Sequence, residues 1–363
     1  MPELNEKKNI LVSMTAHMGD FIWATSAFAL LKKTYPRIKI TVLAGTSVKE
    51  LIENNPVIDE VIYAPYDTAD FKSKLRKVFW ALKNIPKIFL KRFDAAFILD
   101  YSRASVLISK LAFIPEITGG DLFPVGRGEP AGIAKYFTRK VSLPKDQDNT
   151  HMSVDYQTVI KTYFNIQNNA MPVLPPEFST KNDKSDRVKI VICPRGAINK
   201  ANTHIWDLEN FSEIIDSISQ EVENIDFYLT GTKAHFNDIE KILSKTKYAN
   251  ARNIAGKTSL SELTSLLGGS RLLISADTGT IHLAAYAKTD TIVLRSYNTP
   301  PIKSMPMSHK AYVFCKDIDC KNCAYGTLVK NKPCPFMPNP KCMAKITPHE
   351  VAQKAVELLK TIK

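Results

Sequence analysis

An aspartate followed by small hydroxyl residues and glycine, at the point where an apolar run gives way to helical spacing, can hold a phosphate. The chain has this combination at Leu272-Leu273-Ile274-Ser275-Ala276-Asp277-Thr278-Gly279-Thr280-Ile281-His282-Leu283-Ala284-Ala285. Leu272 to Ser275 is long enough for a buried parallel strand. Asp277, Thr278 and Gly279 supply turn chemistry and a helix N-cap, with Gly279 expected at positive φ, and the apolar residues after Thr280 recur at helical spacing. Free N–H groups and the positive dipole end of a helix suit a diphosphate. An ordinary capped strand-helix turn would use the same residues. His282, one turn into the helix, would lie near the same ligand, although a lone histidine there serves equally well in a purely structural role.

A second carboxylate in a comparable place is Asp20, in Thr15-Ala16-His17-Met18-Gly19-Asp20. This segment lies between an expected strand, Asn9 to Met14, and an expected helix, Phe21 to Lys33, that the Tyr35-Pro36 pair stops. Gly19 allows a tight turn, and Asp20 falls at the helix start, at the top edge of the sheet. It has two readings. As an N-cap it contributes about 1 kcal/mol to the helix; as a general base it can take a proton from an acceptor hydroxyl.

Both segments need a scaffold, and the rest of the chain supplies it. At 363 residues the length favours two domains of roughly 150–200 residues each. Strand candidates at Ile38–Leu43, Asp59–Tyr63 and Ala95–Leu99 alternate with helical stretches, the pattern of a doubly wound sheet. From Gly119 to Lys145, proline, glycine and basic residues predict loops on the acceptor side. Met171 to Arg187 has the composition of an interdomain linker. A second series follows at Val188–Cys193, Ile225–Leu229, Ala251–Ala255, Arg271–Ser275 and Thr291–Leu294, with helices near Asp207–Ile218, His235–Leu243 and Leu260–Gly268. Neither half contains GxGxxG, which argues against a dinucleotide oxidoreductase.

Charge and cysteine usage narrow the partners. Lys and Arg number 49 against 36 Asp and Glu, a net charge of +13, which favours anionic partners; no nucleic-acid motif accompanies it, so no nucleic-acid partner is expected. Phe71 to Arg92 carries eight basic residues and no acid, interleaved with apolar ones. That pattern predicts a basic amphipathic helix broken at Pro86, either a solvated domain helix or a helix for an anionic inner-membrane surface. The N-terminal sequence shows neither a signal peptide nor a membrane span, so a cytoplasmic protein is expected, peripheral on the membrane at most. Cys320, Cys323, Cys334 and Cys342, with Cys315 nearby, suit either a structural metal, zinc or iron, or buried free thiols. Pro348 to Lys363 predicts a terminal helix with a Thr347–Glu350 capping box.

Taken together, these segments resemble the ADP-heptose:lipopolysaccharide heptosyltransferase family, glycosyltransferase family 9. The resemblance spans nearly the whole chain: Ile10-Leu11-Val12 through Gly19-Asp20, Asn55-Pro56 with Asp59-Glu60-Val61, Pro194-Arg195-Gly196-Ala197, Ala255-Gly256-Lys257-Thr258-Ser259-Leu260, and Asp277 through Ala285. Cys334 with Cys342-Met343 is similar to the family's cysteine-rich tail. The resemblance implies an α/β chain of GT-B architecture: two Rossmann-like domains, 1–175 and 186–345, facing across a cleft, with the 346–363 helix packing back on the first domain. It implies metal-independent, inverting transfer of a sugar from a nucleoside diphosphate donor, ADP-heptose in the family, to a lipid-linked or glycan acceptor of the lipopolysaccharide core. Asp20 then takes the catalytic position, and Gly19, Asp277, Thr278, Gly279, Thr280 and His282 the donor site. The sequence departs from the family where a lysine two residues before Trp206 is replaced by His204, with Lys200 close in sequence, and where the glutamate four residues after Gly231 is replaced by His235. A protein acceptor, or a non-catalytic nucleotide-sugar-binding role, are the alternatives.

Overall fold

A computed structural model describes residues 8–361, apart from 16, 66–70, 122–132, 180–186, 197–203, 249, 299, 308–309, 321–333 and 335. It divides into two units, Met1–Pro176 and Glu177–Lys363. The first is built on strands β1 (Asn9–Ser13), β2 (Lys39–Ala44), β3 (Glu60–Tyr63), β4 (Ala95–Ile98), β5 (Glu116–Gly120) and β6 (Arg139–Val141), all parallel, in the order β3-β2-β1-β4-β5-β6. The second repeats the plan with β7 (Val188–Cys193), β8 (Ile225–Leu229), β9 (Ala251–Asn253), β10 (Leu272–Ala276), β11 (Asp290–Leu294) and β12 (Ala311–Phe314), in the order β12-β11-β10-β7-β8-β9. Each is a doubly wound sheet whose strand order reverses once, between β1 and β4 and between β7 and β10. Ligands bind such sheets outside the carboxyl ends of the strands at that reversal.

Continuous apolar runs make the central strands. All five residues of β10 and of β11 are buried, as expected for strands covered on both faces. The strand β6 and the last two residues of β5 lie where the sequence predicted loops, and the start of β5 lies where it assigned no element. β5 ends in Gly119-Gly120, where close packing forbids a side chain: a Cβ on Gly119 would stand 2.4 Å from the Phe137 ring and one on Gly120 2.6 Å from Leu143. β6 has only three residues, two of them exposed and basic, so neither strand carries an apolar signature.

Helix α1 (Met18–Thr34) is buried along most of its length and packs against the helix at Met152–Phe164 (α5). The helix α2 is Lys49–Ile52, α3 is Phe71–Leu90 and α4 is Arg103–Leu111. The helix α3 runs through Pro86 unbroken, contrary to the expected break. Pro86 removes the donor to the Leu82 carbonyl, and Leu82 lies on the exposed side, where water can satisfy it. The proline-rich segment expected to be a linker is in part tied down in the first unit: the Val173 N–H donates to Thr25 Oγ1 at 3.0 Å, the Asn55 Nδ2 amide donates to the Val173 carbonyl at 3.1 Å, and Leu174 is buried.

In the second unit α6 is Leu208–Glu221, α7 Phe236–Lys245, α8 Leu260–Gly268, α9 Thr280–Ala287, α10 Lys341–Ala344 and α11 Pro348–Lys360. Thr347 and Glu350 form the capping box that the sequence predicts, with Pro348 in the first turn. The docking expected of α11 is corrected. Its stripe Val351, Ala352, Ala355 and Leu358 joins the core of the second unit, against Phe211, Ile214, Ile215 and Ile218 of α6, rather than the first domain. The Trp206 indole N–H donates to the Ile346 carbonyl at 3.0 Å and fixes the chain just before it. Two complementary apolar stripes in one unit meet first, and burying Val351 and Leu358 alone is worth about 3–6 kcal/mol. Among the described residues no helix is long and apolar enough to cross a membrane.

Candidate active site

In the first unit, β1 delivers the chain to the switch point and the loop after it turns into α1. His17, extended at φ −71° and ψ 168°, is the residue that caps α1. Asp20 is therefore not the N-cap; it lies in the first turn, and Gly19 is a buried helical residue, not a tight-turn glycine. Among the described glycines only Gly256 has positive φ. Asp20 is half-buried. Burial raises its carboxyl above the ordinary value, opposed by His17 and by the Tyr156 hydroxyl, which donates to Asp20 Oδ1 at 3.4 Å. Tyr156 comes from α5, is buried, and is pushed well above the usual phenol range, so it keeps its proton and acts as donor. A carboxylate with a raised affinity for protons at the end of a central strand is suited to general-base work.

The loop that carries Asp20 is anchored by a residue the sequence marked only as a strand end. Asp100, after β4, accepts from Ser13 Oγ at 2.7 Å, Thr15 N at 3.1 Å, Thr15 Oγ1 at 2.6 Å, Ser102 N at 3.0 Å and Ser105 Oγ at 3.1 Å. These bonds cross the reversal from β4 to β1 and hold the backbone just ahead of α1. On the α5 side the neighbour is His151, the cap of α5, with its ring edge-on to Trp23 of α1 at 4.9 Å.

The second unit repeats the arrangement at β7 and β10. Asp277 follows β10 and is largely buried. Its Oδ2 lies 3.0 Å from Arg295 Nη1 and 3.7 Å from His204 Nε2, and accepts from Ser304 Oγ at 3.4 Å. Burial alone would raise its carboxyl; the Arg295 guanidinium, with smaller help from His204 and His282, holds it below the ordinary value. Arg295 ends β11, is 1% exposed, and also donates to Ser304 Oγ at 2.6 Å. Sequence reasoning missed it; the only signal is an arginine directly after an apolar strand.

His204 stands where the resemblance would place a lysine, and it is not a cation. Burial depresses it to about 4, despite the opposing pull of Asp277. The Ser296 N–H donates to its Nδ1 at 3.1 Å, which leaves the proton on Nε2, toward Asp277. His235, in the place of the expected glutamate, is buried and caps its own turn, its Nδ1 accepting from the Thr232 N–H at 3.2 Å. Lys200 lies outside the described residues.

Thr278, Gly279 and Thr280 lead into α9. Gly279 has φ −55° and ψ −22°, which any residue adopts, so the expected positive φ is corrected: what remains for glycine is the absence of a side chain beside the helix N-terminus. Cys193 at the end of β7 reaches across the reversal, its Sγ 3.8 Å from Thr278 Oγ1 and 3.5 Å from Thr280 Oγ1. His282 is buried in the first turns of α9. The site thus offers the N–H groups of a helix N-terminus over a neutralised carboxylate–guanidinium pair, a setting for a diphosphate.

Of the four cysteines considered as metal ligands, Cys323 lies outside the described residues, and Cys320, Cys334 and Cys342 are free thiols. Burial, and beyond it neighbouring Cys320 and Cys334, raises the Cys342 thiol. Among the described residues no group of three or more His, Cys, Asp or Glu is arranged to hold a metal ion.

Two parallel six-stranded sheets, each with its candidate residues at the strand-order reversal, define an α/β chain of the GT-B class of glycosyltransferases. The profile of glycosyltransferase family 9 (heptosyltransferase) matches residues 90–332, and the chain belongs to this family. It is 25% identical over 325 residues to lipopolysaccharide heptosyltransferase 2 of Salmonella typhimurium (strain LT2), covering 84% of this chain and 87% of that protein. The structure of E. coli ADP-heptose lipopolysaccharide heptosyltransferase II superposes with a TM-score of 0.70 at 21% identity, over 97% of this chain and 98% of that one. The iron-containing dodecameric glycosyltransferase TibC of enterotoxigenic E. coli superposes with a TM-score of 0.60 at 13% identity, over 99% and 78%.

Proposed function

We propose that this glycosyltransferase moves heptose from ADP-heptose, with inversion, to a hydroxyl of a lipopolysaccharide core or related lipid-linked glycan. In this scheme an acceptor oxygen attacks the anomeric carbon, its proton passes to Asp20, and the bond from the anomeric carbon to the β-phosphate oxygen breaks, leaving its electron pair on ADP. Developing charge on the leaving diphosphate is met by the N–H groups of Thr278 and Gly279, with His282 and Thr280, whose own N–H donates to Thr278 Oγ1 at 3.3 Å, beside them. Asp277 is not itself a phosphate ligand: its charge is matched by Arg295, and its part is to hold the loop. His204, neutral at pH 7, takes part through hydrogen bonding, and Lys200 is the cation proposed for the phosphates.

The observation that carries this reading is the Asp20 carboxyl, raised by burial and held by the Tyr156 hydroxyl at the carboxyl end of β1. Asp20→Asn keeps the shape and removes the base. With ADP-heptose and a heptose-deficient core acceptor, turnover followed by ADP release should fall roughly 100-fold or more at unchanged melting temperature. Near-normal turnover in this variant would end the assignment. ADP-glucose as a competing donor tests the heptose preference, and the anomeric configuration of the product tests inversion.

For the cysteine-rich segment, a structural zinc or iron remains in the proposal only for a ligand set that includes Cys323, since the described cysteines do not complete one. Thiolates would then replace the raised Cys342 thiol. Elemental analysis of protein purified without added metal tests it, with less than stoichiometric metal sinking the idea; no step of the reaction is routed through that ion.

A further inference from the structure

The helix α3 is apolar on two faces. One serves the core of the first unit: Ile88 is buried, Ile85 and Phe89 pack on the cluster around Leu11, Phe93 and Ile98, and the Trp80 indole donates to the Tyr63 carbonyl at 2.7 Å. The other face points outward. Val78, Phe79, Leu82 and Leu90 are exposed, Phe79 at 68%, Leu82 at 68% and Leu90 at 71%. Val78, Leu82, Pro86 and Leu90 recur at intervals of four, so they form one stripe along the helix. The neighbouring α4 adds exposed Leu107 and Leu111, again four apart, and Phe113 just beyond it is 79% exposed. Phe113 joins the two helices, with its ring edge-on to Phe89 at 5.9 Å. Scattered surface leucines are ordinary; a contiguous patch of large apolar groups marks an interaction surface.

The charge around the patch chooses its occupant. Neither Phe71–Arg92 nor Arg103–Phe113 contains a single acid. Exposed Arg76, Lys83 and Lys87 rim the stripe on α3, and Arg92 lies over the Phe89 ring at 4.8 Å. We infer that this face docks the protein on an anionic lipid bilayer, with Phe79, Leu82, Leu90 and Phe113 entering the headgroup–acyl boundary and the basic rim meeting lipid phosphates. Long basic side chains can keep their charge in the headgroup layer while their stems follow the apolar groups inward. A nucleic acid would match the rim but leave the phenylalanines and leucines without a partner. This surface is independent of the transfer reaction, and its test reads binding alone.

The test is flotation of the full chain with vesicles of phosphatidylcholine alone, or of phosphatidylcholine with phosphatidylglycerol, at low and high salt. Binding is expected on the anionic vesicles only, weakening as salt rises. Phe79→Ser combined with Leu82→Ser should weaken it about tenfold or more through the lost apolar insertion, and Lys83→Glu with Lys87→Glu about tenfold through charge. All four side chains are solvent-facing, and an unchanged circular dichroism melt certifies the fold of each variant. Equal binding to neutral and anionic vesicles, or unchanged binding in both variants, overturns the inference. So does a wild type that self-associates through this patch and becomes monomeric in the Phe79/Leu82 variant, which would make the face an interface between copies.

Discussion

His204 should make the second unit sensitive to mild acid, and His204→Gln should remove that sensitivity. In the folded chain the imidazole titrates at about 4 instead of the ordinary 6.5, because it is buried with Arg295 close by. Between these values the unfolded chain binds a proton that the folded chain refuses. The unfolded state therefore holds more protons, and folding stability rises with pH across the window. The fall from 6.5 to about 4 corresponds to about 3 kcal/mol, fully present above the unfolded value and lost as pH drops through the window. His204 is only 15% exposed at its side chain, so solvent screening takes little from this figure. Asp277, held below its ordinary carboxyl value, acts in the same direction, since there too the unfolded chain holds the extra proton, but its stabilisation is present above 3.8 and is lost only below that, outside the His204 window. His235, also depressed by burial, acts in the same direction as His204 and remains in the variant. The measurement is urea unfolding at steps between about pH 4 and 7, read by hydrogen exchange in peptides from β10 and β11. The wild type should lose about 3 kcal/mol more than His204→Gln over this range. Parallel curves for the two proteins would refute the buried, neutral imidazole.

Tyr156→Phe removes the hydroxyl that favours ionised Asp20, so the acidic limb of the kcat/KM against pH profile should move to higher pH, with folding intact; an unmoved limb would separate Tyr156 from the base. Asp100→Ala leaves the hydroxyls of Ser13, Thr15 and Ser105 without their shared acceptor, and should cost the first unit about 3 kcal/mol while lowering turnover through a loosened Asp20 loop, measured by thermal unfolding of that unit alongside initial rates. Arg295→Met strands the buried Asp277 charge and should cost about 3–5 kcal/mol, most of it recovered in the Arg295→Met, Asp277→Leu double variant; a double-mutant cycle that shows no coupling would mean that the 3.0 Å pair carries no energy.

Much of this architecture was legible in the chain because the central strands carry apolar runs and turn residues separate them from the helical stretches that follow. β1, β2, β7, β8, β10 and β11 have both features. β5 and β6 lack the apolar run, since Gly119-Gly120 is dictated by the close approach of Phe137 and Leu143, a fact about space and not about local pattern. The terminal helix shows the same limit in another form. Its capping box and stripe are local and could be read directly; its docking depends on which apolar surface is complementary, and α6 supplied one within its own unit. At the candidate site, the turn after β10 could be read from its residue types, whereas Arg295 could not, because its significance lies in Asp277, eighteen residues earlier in the chain. His204 was visible as a departure from the family pattern, but its charge state is set by burial that only the folded chain defines.

Asp20 and Asp100 stand at the carboxyl ends of adjacent strands, and both are carboxylates in the right part of the sheet, so the assignment of a base has to choose between them. The hydrogen bonds favour Asp20 as the base of the proposed scheme. Asp100 accepts from five donors, two of them backbone N–H groups and three of them hydroxyls. A carboxylate so occupied has no lone pair free for a substrate proton, and protonating it would break the bonds that fix Thr15 and the loop beyond. Asp20 has the Tyr156 hydroxyl at a long 3.4 Å, a backbone bond from His17, and burial that raises its proton affinity. One residue is committed to geometry, and the other is left able to react. The second unit divides its labour in the same way: Asp277 is spent on Arg295, His204 and Ser304, while the backbone N–H groups of the α9 turn that it braces are the donors offered to a phosphate. In each unit the charge most firmly held by the protein is therefore the one that shapes the loop, and the group proposed to meet the substrate is its neighbour, across the strand-order reversal in the first unit and in the same turn after β10 in the second.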